Sequence, residues 1–449
     1  MTERLVVIGG DAAGMSAASQ ARRRRTSDDL IIDVFEMTQR VSYSACGEPY
    51  YISGDVPNIE QLIARTPAQF SQQDISVHLG NTVTEIDTDS RTITVLNGRE
   101  SRVVPFDQLV YATGARPVRP PIEGIDLTGV FHLKTLDDAE AIKAAAAHAK
   151  NAVVVGGGYI GLEMAEAFHV RGITTTLVTS GAVVMNRSID QDLGAIVTAG
   201  MRERGIAVRP DHRVNCLADE QGHVRGIQLD GGLLEADIVI LALATRPVSE
   251  LAAEAGIRIG PTGAVAVDNR QRTSVEGIWS AGDCAEALHR ITGRPANVHL
   301  GTVANKQGRV AGINIGGDEA TFPGILGTAI TKVLDIEIAR TGLSQSEAES
   351  AGIEAVTAIT ESTTMAGYWP ESTDMTLKVT AERRTGRLLG AQIVGGRSAG
   401  KRIDTLATGI WNEMDGLAFS MMDLSYAPPF SGTWDPVLIA ARRAYESAM

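Results

Sequence analysis

The sequence predicts an α/β chain built around two dinucleotide-binding units, and three observations carry that prediction. The chain opens with RLVVIGGDAAGMSAASQARRRR at residues 4–25, which reads as an apolar strand, a glycine-rich turn and a helix. A second strand, LIIDVFE at 30–36, completes a βαβ unit. The same order returns in NAVVVGGGYIGLEMAEAFHVRGITTTLVTS at 151–180. A chain of 449 residues is also too long for one compact core, and about one domain per ~150 residues suggests about three.

In the first unit Gly9, Gly10, Ala13 and Gly14 form the turn, with Gly9 and Gly14 as the outer glycines of a GxGxxG pattern. Glycine there lets the backbone approach a pyrophosphate, whose charge rests at the helix N-terminus. Glu36 ends the next strand, where a carboxylate accepts the ribose hydroxyls of an adenosine. Asp11 stands in the middle glycine's place, so its side chain has to turn away from the phosphates.

The second unit carries the full pattern at Gly156, Gly158 and Gly161. Its second strand ends in Thr179 and Ser180 with no carboxylate, so a 2′-phosphate is not repelled. NADPH is therefore expected slightly ahead of NADH. Arg187 is either the partner of that phosphate or a solvated loop arginine.

With 41 basic and 54 acidic residues the net charge is -13, which disfavours nucleic acid or an anionic membrane as the main partner. No apolar run is long enough to span a bilayer. The first strand begins almost at once, leaving no room for a targeting segment, and a cytoplasmic location is expected. Cys46, Cys216 and Cys284 lie far apart and suit neither a disulfide framework nor a metal site. Any disulfide chemistry is then catalytic.

Two further turns follow apolar strands: the ATG of FDQLVYATGARP at 106–117 and the AGD of VEGIWSAGDCAEA at 275–287. With the doubled glycine pattern, in this order, the chain resembles the flavin-dependent pyridine nucleotide-disulfide oxidoreductases over almost its whole length. That resemblance implies Rossmann-like domains for FAD and for NAD(P)H, the FAD domain being split in sequence, and an α+β C-terminal dimerisation domain. The implied boundaries are 1–115 and 247–324 for FAD, 116–246 for NAD(P)H and 325–449 for dimerisation. It further implies flavin contacts from Thr113, Gly114, Gly282 and Asp283, with Tyr159 covering the flavin and Glu163 near the nicotinamide.

The chemistry centres on VSYSACGEPYY at 41–51. Cys46 has no second thiol five residues away, where Val41 and Tyr51 stand, and no histidine follows His299. SYSACGEP is similar to the SFxxCxxP motif of coenzyme A disulfide reductases, with Ser42, Cys46 and Pro49 matching and Tyr43 replacing phenylalanine. The resemblance implies that the substrate supplies the second sulfur, and that Tyr426 and Tyr368 reach the thiol from the partner of a homodimer. A phenol can protonate a departing thiolate. To attack at neutral pH, Cys46 needs a pKa lowered below about 8.5.

The same resemblance implies substrate contacts at Ser16, Gln20, Arg23 and Ser42. Arg65 and Asn305 are further candidates for a bound coenzyme A. Of the arginines 22–25, at most two can face one ligand. Reduction of coenzyme A disulfide is therefore the reaction expected first. Ala45, Gln73 and Trp434 depart from that family's pattern, which keeps polysulfide or persulfide reduction, oxygen or peroxide reduction as in NADH oxidases and, last, redox sensing as alternatives.

Overall fold

Strand β1 (Glu3–Ile8) is buried over its last four residues, and β2 (Leu30–Glu36) is buried at all but one. Such nearly continuous apolar runs suit a parallel sheet covered on both faces. The computed structural model, which describes residues 2–214 and 216–449, places them there. Helix α1 (Ala12–Arg22) crosses over between them, and β1 pairs with β2 in parallel. Downstream follow a short helix, α2 (Glu48–Ser53), and strand β3 (Ile75–Leu79). The sheet order is Ile278–Ser280, Gln108–Tyr111, β1, β2, β3. The strand at 278–280 thus returns from beyond the second unit to pair with 108–111, which splits this domain in sequence.

The second parallel sheet repeats the plan, in the order Ala207–Arg209, Thr174–Val178, Asn151–Val155, Ile238–Leu241, Val130–Phe131. Helix Tyr159–Val170 provides its crossover. Three-stranded antiparallel sheets, 82–105 and 217–235, flank the two units.

The C-terminal sheet is antiparallel, in the order Ala329–Val333, Ile336–Gly342, Leu388–Gly395, Asp374–Glu382, Ala355–Thr363. Helices Ile403–Trp411 and Pro436–Ala448 share its apolar core. It docks on the second unit through Lys378, whose ammonium lies 2.9 Å from both Asp190 and Asp192. A buried bridge of this kind fixes orientation more than it adds stability.

Helix Gly301–Ile315 packs along α1. A Cβ at Gly308 would overlap the carbonyl of Ala13, and one at Gly312 that of Ala17, so these glycines set the close approach. Among the described residues no helix is long and apolar enough to cross a membrane.

Candidate functional site

Strands β2, β1, 108–111 and 278–280 run parallel, so their carboxyl ends share one edge and bring together four motifs far apart in sequence. Gly9 follows β1 with φ +104, and a side chain there would overlap the carbonyl of Ala112 in the ATG turn. A Cβ at Gly14 would in turn overlap the carbonyl of Gly9. Ala281 donates its N–H to Tyr111 (3.3 Å), which sets the AGD turn beside the ATG turn. Gly282, at φ +87, would press a Cβ to 2.9 Å from that of Ala13, and its N–H is held by the fully buried Gln307 (2.9 Å).

Glu36 lies buried at the end of β2 and accepts from the N–H groups of Gly10 and Thr38, both at 2.8 Å. Asp11 turns away from the loop, as the sequence requires, and accepts from the N–H of Tyr43 (3.3 Å). Burial pushes its carboxyl up to about 6. Thr113 donates to the carbonyl of Val248 (2.7 Å), and Gly114 adopts φ +70. The ammonium of Lys134 lies 3.9 Å from Asp283. His299 is fixed between Thr245 and Asn297, both at 2.6 Å. Sequence reasoning missed Gln307, Lys134 and the placement of His299, because nothing local marks residues recruited from such distances.

The second turn has the same construction. Cβ atoms at Gly156 and Gly161 would overlap the carbonyls of Ala242 and Gly156 respectively. Gly158 caps the helix and is exposed, with no atom within 4 Å of a Cβ built on it. Thr179 takes the place held by Glu36 in the first unit: a Cβ at Gly157 would lie 3.2 Å from that of Thr179, and one at Gly10 would lie 3.1 Å from that of Glu36. Thr179 donates its N–H to Arg209 (3.0 Å) and accepts from His212 (3.0 Å) through its backbone. Arg209 and His212 therefore stand beside Thr179, while Arg187 is exposed in the following loop. Tyr159 begins the helix, half-buried against Ser188. Glu163, one turn later, accepts from Thr331 of the C-terminal sheet (2.8 Å).

The thiol segment is laced onto the first turn. Ser42, at the left-handed φ of +50, donates its N–H to Gly10 (2.9 Å), and its carbonyl accepts from Ala64 (2.8 Å). Ser44 donates to Leu62 (2.8 Å). A non-glycine residue in that conformation costs of order 1–3 kcal/mol and persists only where its surroundings fix it. Cys46 sits exposed in the 3₁₀ turn Ala45–Gly47 that leads into α2. Partial burial of the sulfur, followed by the carboxylates of Glu163, Glu48, Asp283 and Asp11, pushes its thiol up. The protein's own side chains thus oppose the lowered thiol expected from sequence. Tyr50 lies beneath the ammonium of Lys332, 5.7 Å from its ring centroid, and burial pushes its phenol up to about 12. Cys284 is fully buried among the carbonyls of Tyr111 and Ala281, and Cys216 is partly buried in the other unit.

The substrate candidates separate in the structure. Ser16 donates to Asn305 across the α1 crossing (2.8 Å). Gln20 is buried, with its side-chain oxygen accepting from Arg24 (2.9 Å). Arg22 binds the carbonyls of Arg25, Leu30 and Asp74, Arg24 pairs with Asp318, and Arg25 pairs with Glu3. Arg23 is exposed and makes no side-chain hydrogen bond among the described residues. Arg65 stacks over Phe70, 5.9 Å from the ring centroid.

Tyr368 and Tyr426, 75% and 50% exposed, belong to one surface. Ala366 donates to Pro428 (3.1 Å), and Arg402 clamps both loops by donating to the carbonyls of Thr364 and Phe430 while pairing with Asp435. Phe430 and Trp434 extend this exposed apolar patch. Among the described residues neither tyrosine loop is hydrogen-bonded to the Cys46 segment of its own chain.

Comparison with known proteins gives this arrangement its context. The model of the pyridine nucleotide-disulphide oxidoreductases matches residues 3–308, and that of their dimerisation domain matches 328–436. An NAD(P)H coenzyme A polysulfide/persulfide reductase of Pyrococcus horikoshii is 40% identical over 98% of each chain. An NADH oxidase of Methanocaldococcus jannaschii is 35% identical, again over 98% of each. The structure of an NAD-dependent persulfide reductase from A. fulgidus superposes with a TM-score of 0.94 at 39% identity, covering 98% of this chain and 82% of that one. The chain belongs to the FAD-dependent pyridine nucleotide-disulphide oxidoreductases, in their single-cysteine branch.

Proposed function

We propose that this protein uses NADPH or NADH to reduce the sulfur–sulfur bond of a low-molecular-weight thiol carrier. Within that class a persulfide or polysulfide is ranked ahead of coenzyme A disulfide. The observation that carries the reading is the setting of Cys46: an accessible thiol, bonded to neither other cysteine, in a segment tied to the first glycine turn. The second sulfur then comes from the substrate. Persulfide is ranked first because the relatives named for it share 39–40% of this sequence, while Ala45, Gln73 and Trp434 depart from the coenzyme A disulfide pattern. Arg23 and Arg65 remain as cations for a phosphorylated carrier.

The residues fit the two cofactors. Glu36 and the Gly9–Gly14 turn suit an adenosine diphosphate, and Lys134 beside Asp283 borders the space where a ribityl chain would lie. Flavin, when bound there, supplies the passage of two electrons from hydride to sulfur. Cys46 thiolate attacks the substrate's S–S bond, forming a mixed disulfide and expelling one thiolate. Two electrons then cleave the mixed disulfide, releasing the second thiol and restoring the Cys46 thiolate.

Tyr426 and Tyr368, exposed on one clamped surface, serve a partner's thiol in a homodimer and protonate the departing sulfur. Absence of an acid at Thr179, with Arg209 beside it and Arg187 exposed in the following loop, favours acceptance of NADPH. The division 1–115 with 247–324, 116–246 and 325–449 goes with this reading.

The test is steady-state oxidation of NADPH and NADH by the purified holoenzyme. Coenzyme A persulfide or polysulfide is expected to raise the rate at least tenfold over air, with coenzyme A disulfide below it. Equal rates with air alone would overturn the reading in favour of an oxidase.

A further inference from the structure

Glu48 follows the thiol by two residues and lies at the first position of α2, where a helix N-terminus ordinarily favours a charged carboxylate. Burial overrides that preference. Only 3% of the residue is exposed, and Oε1 has no hydrogen-bond partner among the described residues. An ionised carboxylate so placed, without full hydrogen bonding, is costly, and the group sheds its charge instead. Helices Leu136–Ala146 and Tyr159–Val170 close over α2.

Charged groups from several elements face this pocket. Asp11 comes from the cap of α1, and Lys134 and Asp138 come from the start of the helix 136–146. Glu163 from the helix 159–170 and Asp283 from the AGD turn act on Cys46 itself. Tyr43, half-buried, has its phenol pushed well above its usual range, by desolvation first and then by Asp11 and Glu48. Lys134 is the one cation among the groups acting on Glu48, and its ammonium is shared with Asp283 at 3.9 Å. Burial first, then Asp138 and Asp11, push the Glu48 carboxyl up to about 8 against the relief from Lys134.

We propose that Glu48 is a positioning residue for Cys46: its buried, unpartnered carboxyl, while protonated, spares the thiol one adjacent negative charge, whereas its ionisation in alkaline solution holds the thiol protonated. The two groups titrate as a coupled pair of acids, each ionisation opposing the other. The released proton passes to solvent. Below pH 8 the pocket thus carries one negative charge fewer than its acidic residues would suggest, which is the state in which thiolate forms most readily. This inference rests on reading Cys46 as the reactive thiol, but its test does not depend on turnover.

The experiment follows the rate of Cys46 alkylation by iodoacetamide against pH in FAD-loaded protein, read by peptide mass spectrometry. Glu48→Gln is expected to lower the midpoint by about one pH unit, so that alkylation near pH 9 runs several-fold faster, whereas below pH 8, where Glu48 already carries its proton, the two proteins converge. Glu48→Asp keeps a titrating carboxyl and is expected to restore a midpoint close to that of the wild type. A packing role alone would leave the Gln midpoint in place, and that result overturns the proposal. If Glu48→Gln does not fold, infrared spectra of wild-type protein carrying ¹³C-labelled glutamate decide the matter. A protonated-carboxyl band that disappears near pH 8, in step with the alkylation profile, supports the proposal, and its absence at pH 6.5 contradicts it.

Discussion

The two glycine turns share a backbone, and two of the positions at which they differ separate what builds such a turn from what would select its ligand. In both, the first glycine is pressed on a carbonyl of a neighbouring strand's turn and the last is pressed on the first. Those positions are fixed by packing. The middle position is not, since Gly158 has open space around it while Asp11 fills the corresponding place and bonds sideways to Tyr43. At the end of the second strand, Glu36 confronts one turn and Thr179 the other across nearly equal distances. A carboxylate excludes a 2′-phosphate and a threonine does not. On the proposed reading, the same fold serves a flavin dinucleotide in one unit and admits a phosphorylated nicotinamide dinucleotide in the other.

That comparison can be broken at the shared positions first. Gly9→Ala adds a clash to a left-handed φ, together roughly 2–6 kcal/mol. It is expected to yield protein without bound FAD, read from the flavin absorbance ratio. Gly161→Ala is expected to keep FAD and lose nicotinamide binding, so a variant of either unit that lost both would show the turns are not independent.

Thr179→Glu should make the second unit resemble the first, raising KM for NADPH at least tenfold, about 1.4 kcal/mol or more, while leaving KM for NADH within threefold. Asp11→Asn tests the middle position through pH. The Asp11 carboxyl titrates near 6 in the folded chain, above its unfolded value of 3.8, so the folded state binds more protons between those values. Wild-type stability should consequently fall as pH rises from 4 to 6, by roughly 2 kcal/mol relative to Asp11→Asn, as measured by denaturant unfolding. A constant difference between the two proteins over that range would place the charge elsewhere. The smallest expected effect is that of Arg209→Ala, a rise of roughly threefold in KM for NADPH alone, worth about 0.6 kcal/mol.

Glycines pinned by carbonyls leave a fixed spacing in the chain, which is why Gly9, Gly14, Gly156 and Gly161 were readable, and with them the doubled α/β architecture. The strand-end residues were readable for the same reason, since a strand has one end. Residues recruited across the fold carry no such signature. Lys134 reaches Asp283 from another domain, and Arg209 meets Thr179 only because strand 207–209 pairs beside 174–178. The arginine run shows the opposite limit. Helix geometry allowed two of the four to face a ligand, but local carbonyls and Asp318 and Glu3 engage three of them. Glu48 was in plain view beside the cysteine, yet its burial depends on two helices far along the chain.

The central claim is that one thiol, Cys46, works with a sulfur brought by the substrate. It is tested most directly by Cys46→Ser in the FAD-loaded enzyme, assayed with NADPH or NADH and coenzyme A persulfide. The flavin turns lie outside the 3₁₀ segment that carries Cys46, so the variant should retain stoichiometric FAD and its reduction by NAD(P)H. Persulfide reduction should fall by about three orders of magnitude. Persulfide turnover within tenfold of the wild type would contradict the account.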